Sequence, residues 1–127
     1  ALAALEQGIA TRVADLEAGE WPFGDECFDA VVVANYLFRP RFALLAALLA
    51  PGGLLICETF AQGNERYGRP SNPAFLLAPG ELYERSTRAG LRVLGYEHGV
   101  VEQPRPAVVQ RVCAARSAGG EAPRALG

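Results

Sequence analysis

The 127-residue chain contains no methionine, no lysine and only one histidine, His98. All twelve basic residues are arginines, scattered along the sequence. Without a dense basic patch the chain lacks the electrostatic footprint of a nucleic-acid binder, and no nucleic-acid partner is expected. The missing methionine predicts that Ala1 is not a natural start. Cysteine is scarce: Cys27, Cys57 and Cys113 stand far apart and form no CxxC pair. With one histidine, that spacing excludes a structural zinc site, and no metal is expected. Cys57 and Cys113 lie in apolar runs, where buried free thiols are expected. Free thiols point to a reducing, cytoplasmic location. The longest apolar stretch, Phe42 to Ile56, is broken by Pro51-Gly52-Gly53 and falls short of the ~20 residues that span a bilayer. No charged segment followed by an apolar one opens the chain, so neither membrane nor signal peptide is predicted. No GxGxxG turn joins a strand to a helix, which argues against a dinucleotide-dependent oxidoreductase.

Half of the residues are hydrophobic, 20% are charged and the net charge is -2. That balance suits one domain with its own core. "ALAALEQG" reads as the end of a helix stopped by Gly8, and "IATRVADL" as a short strand ending in Asp15. "EAGEWPFGDEC" is a loop. "FDAVVVANY" is a β-branched run without polar alternation, the pattern of a strand covered on both faces. In "RPRFALLAALLA", Pro40 suits a first helical turn, and Phe42, Leu45, Leu48 and Leu49 fall on one side at helical spacing. Pro51-Gly52-Gly53 ends that helix, and "LLICETF" is a second unbroken strand. The stretch from Ala61 to Gly80 is irregular and rich in glycine and proline; loops of such length are usually functional or disordered. "PGELYERSTRAG" predicts a helix. "LRVLGYEHGVV" and "AVVQRVCAAR" predict two strands joined by "EQPRP", and the residues after Arg116 have the composition of a frayed tail. Apolar strands alternating with helices argue for an α/β sheet.

In open parallel sheets, ligands sit beyond the carboxyl ends of the strands. Three apolar strands here end in hydrogen-bonding groups: Asp15, then Asn35 with Tyr36, then Glu58. One crevice would collect them, although Asn and Asp also serve as turn and cap residues. Arg39, just beyond Tyr36, carries a planar fork suited to a carboxylate, phosphate or oxyanion. Asn64, Glu65, Arg66, Arg69 and Asn72 make the 63–73 segment a candidate polar substrate lid. His98, near the final hairpin, is expected to be structural.

The stretch "VADLEAGEWPFGDECFDAVVVANYLFRP…LLAPGGLLICETF" resembles the middle of the class I S-adenosylmethionine-dependent methyltransferases. The combination of "FDAVVV" with the later "PGG" carries the resemblance, which covers about Ile9 to Arg116. "ETFAQGNERYGRPSNPAFLLAPGEL" is similar to a bacterial subgroup described as tellurite-resistance-like methyltransferases. The resemblance implies a Rossmann-like, mostly parallel α/β sheet closed by an antiparallel C-terminal hairpin. It implies S-adenosylmethionine as cofactor, with Asp15 on the adenine amino group, the Leu16 backbone on a ring nitrogen, Trp21 or Phe23 against the ring, and Asn35 at the same crevice. Tyr36 would orient the small-molecule acceptor or relay a proton, Arg39 would hold an anionic group, and Glu58 would act as base or polar anchor. The family's first two strands and glycine-rich loop would lie before Ala1. The expected organisation is therefore a partial methyltransferase domain over 1–116 and a flexible tail over 117–127. Such a fragment is expected to be weakly stable, inactive alone, or self-associating through exposed sheet edges. The alternative reading is a non-catalytic α/β binding or assembly module.

Overall fold

Two parallel strands and a reversed hairpin share one sheet. The computed structural model describes residue 23 and residues 26–118. Its elements are β1 (Phe28–Ala34), α1 (Phe42–Ala47), β2 (Leu49–Phe60), α2 (Glu81–Arg88), β3 (Arg92–Val101) and β4 (Ala107–Ala115), with short 3-10 turns at Arg39–Arg41, Asn64–Arg66 and Pro73–Phe75. The spatial order is β1-β2-β4-β3. β1 and β2 are parallel, with α1 in the connection between them, and β4 runs antiparallel to both β2 and β3. The expected hairpin is present. Among the described residues, however, one strand pairing of three is parallel, so the sheet seen is mixed rather than mostly parallel. The strand expected to end at Asp15 and the tail beyond residue 118 lie outside the described residues.

One sheet face is dry. Leu55, Cys57 and Thr59 of β2 and Gln110, Val112 and Ala114 of β4 are buried. They share a core with Phe42, Leu45 and Ala46 of α1, Leu82 of α2, and Leu77 and Leu91. Full burial of a leucine such as Leu55, Leu77 or Leu82 contributes roughly 1.5–3 kcal/mol. The other face is open. Val32 is 65% exposed and Ile56, its register partner, 44%. The unalternated valines of β1 were expected to be covered on both sides. They instead express β-propensity on a strand whose described neighbours pack on one side. Cys57 is buried, whereas Cys113, opposite Ile56, is half-buried and Cys27 exposed. Burial, assisted by the neighbouring Glu58 charge, pushes the Cys57 thiol up to about 12.

The helix after Pro40 is shorter than its apolar spacing predicts. α1 ends at Ala47, yet Phe42, Leu45, Leu48 and Leu49 are all buried, so the spacing identifies the correct face. The chain enters β2 directly, and Pro51-Gly52-Gly53 forms an irregularity inside that strand rather than a separate stop. Gly52 has φ +80, and a Cβ on Gly53 would lie 2.9 Å from the Ala50 carbonyl oxygen and 3.0 Å from that of Phe28. Only glycine permits this approach of backbone to backbone. The Gly52 amide donates to the Arg116 carbonyl and the Arg116 amide to the Gly53 carbonyl, both at 2.9 Å, which satisfies the groups freed by the kink.

α2 starts after Gly80, at φ +75, and sets Leu82 and Ser86 against the sheet. Buried Gln110 of β4 fixes its position. The Gln110 Oε1 accepts from the Leu82 amide at 3.1 Å and from the Tyr96 hydroxyl at 2.8 Å, while its Nε2 donates to the Ala78 carbonyl at 2.7 Å. Among the described residues, no helix is long and apolar enough to cross a membrane.

Candidate functional site

The carboxyl ends of β1 and β2 lie in step, with Ala34 opposite Glu58. Beyond them the Asn35 amide donates to the Glu58 carbonyl at 2.8 Å. Asn35 sits at φ 57, a left-handed conformation that asparagine tolerates better than most residues. The chain turns out of the sheet there and leaves the Asn35 side chain exposed, followed by half-buried Tyr36. Asn35, Tyr36 and Glu58 thus meet at one end of the sheet.

The Glu58 side chain points to the open face and accepts from Arg111 Nε at 2.7 Å. Arg111 also reaches Glu97 at 3.4 Å, so the three charges form a row across β2, β4 and β3. Glu58 is therefore an ion-pair member at the rim. The pair is partly exposed, a setting where such contacts contribute about 1 kcal/mol or less.

Arg39 takes a different part from the anion fork that its sequence position suggests. Its guanidinium faces protein: Nε donates to Glu81 at 2.6 Å, Nη2 to Glu81 at 2.9 Å and to the Leu76 carbonyl at 2.8 Å, and Nη1 to the Ala74 carbonyl at 2.9 Å. The fork grips the backbone on both sides of Phe75. Glu81 completes the cluster by accepting from the Ala78 amide at 2.9 Å and from Arg85 at 2.6 Å. Burial pushes the Glu81 carboxyl up. Hydrogen bonds from Arg39, the Ala78 amide and Arg85, with the Arg39 charge, outweigh that effect and hold it at about 2.

The expected lid is a closed loop. Its ends meet at the Ala61–Leu77 bridge, where the Gln62 amide donates to Leu77 and the Leu77 amide to Phe60. This is the form of a compact Ω-loop. Asn64 is 1% exposed and pins the loop inward, donating to the Pro70 carbonyl at 3.0 Å and accepting from the Val108 amide at 3.1 Å. Glu65 accepts from the Gly63 amide, and Asn72 caps the Pro73–Phe75 turn by accepting from the Ala74 amide, both at 2.9 Å. Arg66 and Arg69 are exposed. Asn64 thus holds the loop's shape, while Arg69 and Asn72 reach the cleft described next.

An open cleft of about 480 Å³ lies between the end of β2, this loop and the β3–β4 turn. Phe60, Arg69, Pro70, Ser71, Asn72, Phe75 and Arg105 line it. Arg105 Nη2 donates to the Arg69 carbonyl at 3.1 Å and ties the turn to the loop. Phe60, Phe75 and Arg105 belong to no catalytic or binding motif in the sequence. Phe60 carries one signal: it lies two residues beyond Glu58, hence on the same strand face. Phe75 and Arg105 reach the cleft only through tertiary folding. A second cavity, about 300 Å³, lies between α1 and α2. Its charged wall is paired internally through Arg39, Arg85 and Glu81 and through Arg88 and Glu84, which marks a structural seam.

Of the expected cofactor contacts, Asp15, Leu16 and Trp21 lie outside the described residues. Asn35 is described, and its exposed amide both donates and accepts. At the carboxyl end of β1, beside Tyr36, it is a fitting neutral partner for either an adenine edge or an amino-acid group.

No family model and no curated protein sequence matches the chain. Solved structures do. The [4+2]-cyclase SpnF superimposes with a TM-score of 0.62 at 16% identity, covering 92% of this chain and 60% of that one. A SAM-dependent methyltransferase from Methanosarcina mazei gives 0.55 at 13% identity, covering 77% and 63%. A protein from echinomycin biosynthesis, where a disulfide bond is converted into a thioacetal group, gives 0.59 at 14% identity, covering 93% and 61%. The chain spans somewhat over half the length of each. The fold is therefore methyltransferase-like over the part shared with these neighbours, one of which is a cyclase. Function belongs to the site rather than to the fold.

Proposed function

We propose that the chain forms part of an S-adenosylmethionine-dependent methyltransferase acting on a small molecule. The observations that support this reading are that Asn35 and Tyr36 follow the carboxyl end of β1 and that Phe60, with its cleft, closes the carboxyl end of the parallel strand β2. That is the edge where open α/β sheets bind ligands. When bound, S-adenosylmethionine supplies an electrophilic methyl group on sulfur and leaves as a neutral thioether. The chain's own residues bind and orient. Asn35 offers a neutral amide to the cofactor, joined by Asp15, the Leu16 backbone and Trp21. The Tyr36 hydroxyl is buried, so its part is to hold the turn beyond β1 rather than to meet the acceptor. Arg39 acts indirectly, by fastening the turn that bears Phe75. Glu58 anchors Arg111 at the rim. The Ω-loop with Arg66, Arg69 and Asn72 selects the acceptor and excludes water, and most of the rate gain comes from alignment.

A non-catalytic module is the second reading, favoured by the open sheet face around Val32 and Ile56. Calorimetric titration of the full chain with S-adenosylhomocysteine separates the two. Saturable micromolar heat supports the cofactor site. Flat heats up to the solubility limit of the ligand would leave only the module or fragment reading.

A further inference from the structure

We propose that the cleft bounded by Phe60, Phe75, Arg69 and Arg105 binds a small molecule with a flat apolar body and one anionic head, a carboxylate or a phosphate. Its two rings come from separate segments, Phe60 from the end of β2 and Phe75 from the 3-10 turn of the loop. Phe75 is 51% exposed. Its backbone is nonetheless fixed, by Arg39 on the Ala74 and Leu76 carbonyls and by the Asn72 cap. A phenyl ring exposed to water on a backbone so held is a preformed apolar wall, of the kind that small-molecule sites use.

The charge is equally one-sided. Two guanidinium groups, Arg69 and Arg105, line the cleft, and among the described residues no acidic residue does. A planar guanidinium matches the geometry of carboxylate and phosphate oxygens. The volume, about 480 Å³, lies within the roughly 300–1,000 Å³ of small-molecule sites. Phe60 stands two residues past Glu58 on one strand face, about 7 Å along the strand. The ligand would therefore lie beside the end of the sheet where the methyl donor is proposed. Its role as acceptor rests on the methyl-transfer reading; its binding does not.

The test is calorimetric titration of the full chain with phenylacetate, phenyl phosphate, phenylacetamide and acetate, each with and without S-adenosylhomocysteine. The ring-bearing anions are expected to bind about tenfold or more tighter than phenylacetamide, as charge-assisted hydrogen bonds require, and also tighter than acetate. The tighter of the two anions identifies the head group. Arg69→Gln should remove most of the preference over the amide. This variant spares the tie from Arg105, which uses the Arg69 backbone carbonyl, and an unchanged melting temperature checks the fold. Phe75→Ala should weaken phenylacetate and leave acetate unchanged. Equal binding of acid and amide, no binding by any of the four, or indifference to Arg69→Gln overturns the proposal. Anion binding without S-adenosylhomocysteine binding keeps this inference and removes a working cofactor site from this chain; the opposite pattern does the reverse.

Discussion

Replacing Glu81 by glutamine tests the cluster that holds the cleft wall in place. The substitution keeps the side chain's shape and removes the charge that Arg39 and Arg85 share. A carboxyl with a usual value of 4.5, held at about 2, corresponds to roughly 3–4 kcal/mol of preference for the charged form, at ~1.4 kcal/mol per tenfold. The Arg39 and Arg85 side chains are 30% and 32% exposed, so solvent screening reduces the expected loss to about 1–2 kcal/mol at neutral pH. The sign follows from the direction. A depressed carboxyl stabilises the fold fully above its unfolded value of about 4.3, and that contribution fades as the pH falls towards about 2. The wild type should therefore exceed Glu81→Gln in urea midpoint near neutrality, and the two midpoints should converge as the solution is acidified through that window. A gap of constant size down to strongly acidic solution, or no gap at neutral pH, would refute the assignment of Glu81 as the charged hub.

Asn64→Ala removes a buried side chain that serves both Pro70 and Val108. It should cost about 1–3 kcal/mol, read by thermal denaturation, and raise amide exchange throughout the loop; a change confined to residue 64 would contradict its role as a pin. Gly53→Ala drives a methyl against the Ala50 and Phe28 carbonyls and should destabilise by roughly 1–3 kcal/mol, whereas Gly95→Ala, which meets nothing within 4 Å, serves as the mild control. Arg39→Lys keeps the charge and loses the fork, so it should lower acceptor binding more than S-adenosylhomocysteine binding; equal losses would dissociate Arg39 from the cleft. In the complete enzyme, Asp15→Ala should weaken S-adenosylhomocysteine by ~1–3 kcal/mol, and an unaltered affinity would remove Asp15 from the cofactor site.

Elements with strong local signals were legible in the sequence. β1 shows as "FDAVVVA", α2 as an amphipathic segment between Gly80 and Gly90, and β3 and β4 as two runs around "EQPRP". Burial on the second face of β1 was not legible, because a run of valines expresses strand propensity whether or not anything packs on both sides. The place of β4 between β2 and β3 is a tertiary result that spacing cannot encode. The 61–80 segment looked irregular because its order comes from single side chains, Asn64 and Asn72, and from distant Arg39 rather than from periodicity. Arg39 was conspicuous, but its partner Glu81 lies 42 residues away, and only the fold turns the fork towards the loop backbone. Arg105 had no local signal, since an arginine in a proline-flanked turn reads as a solvated charge.

Under the proposed reading, the carboxyl ends of β1 and β2 hold both ligands. Backbone-amide chemical-shift mapping of the isotopically labelled full chain, titrated with S-adenosylhomocysteine and then with phenylacetate, tests it most directly. The account predicts shifts at Asn35 and Tyr36 with the first ligand, and at Phe60, Arg69, Phe75 and Arg105 with the second. Shifts gathered instead at the α1–α2 seam around Phe42 and Arg88, or none with either ligand, would contradict it.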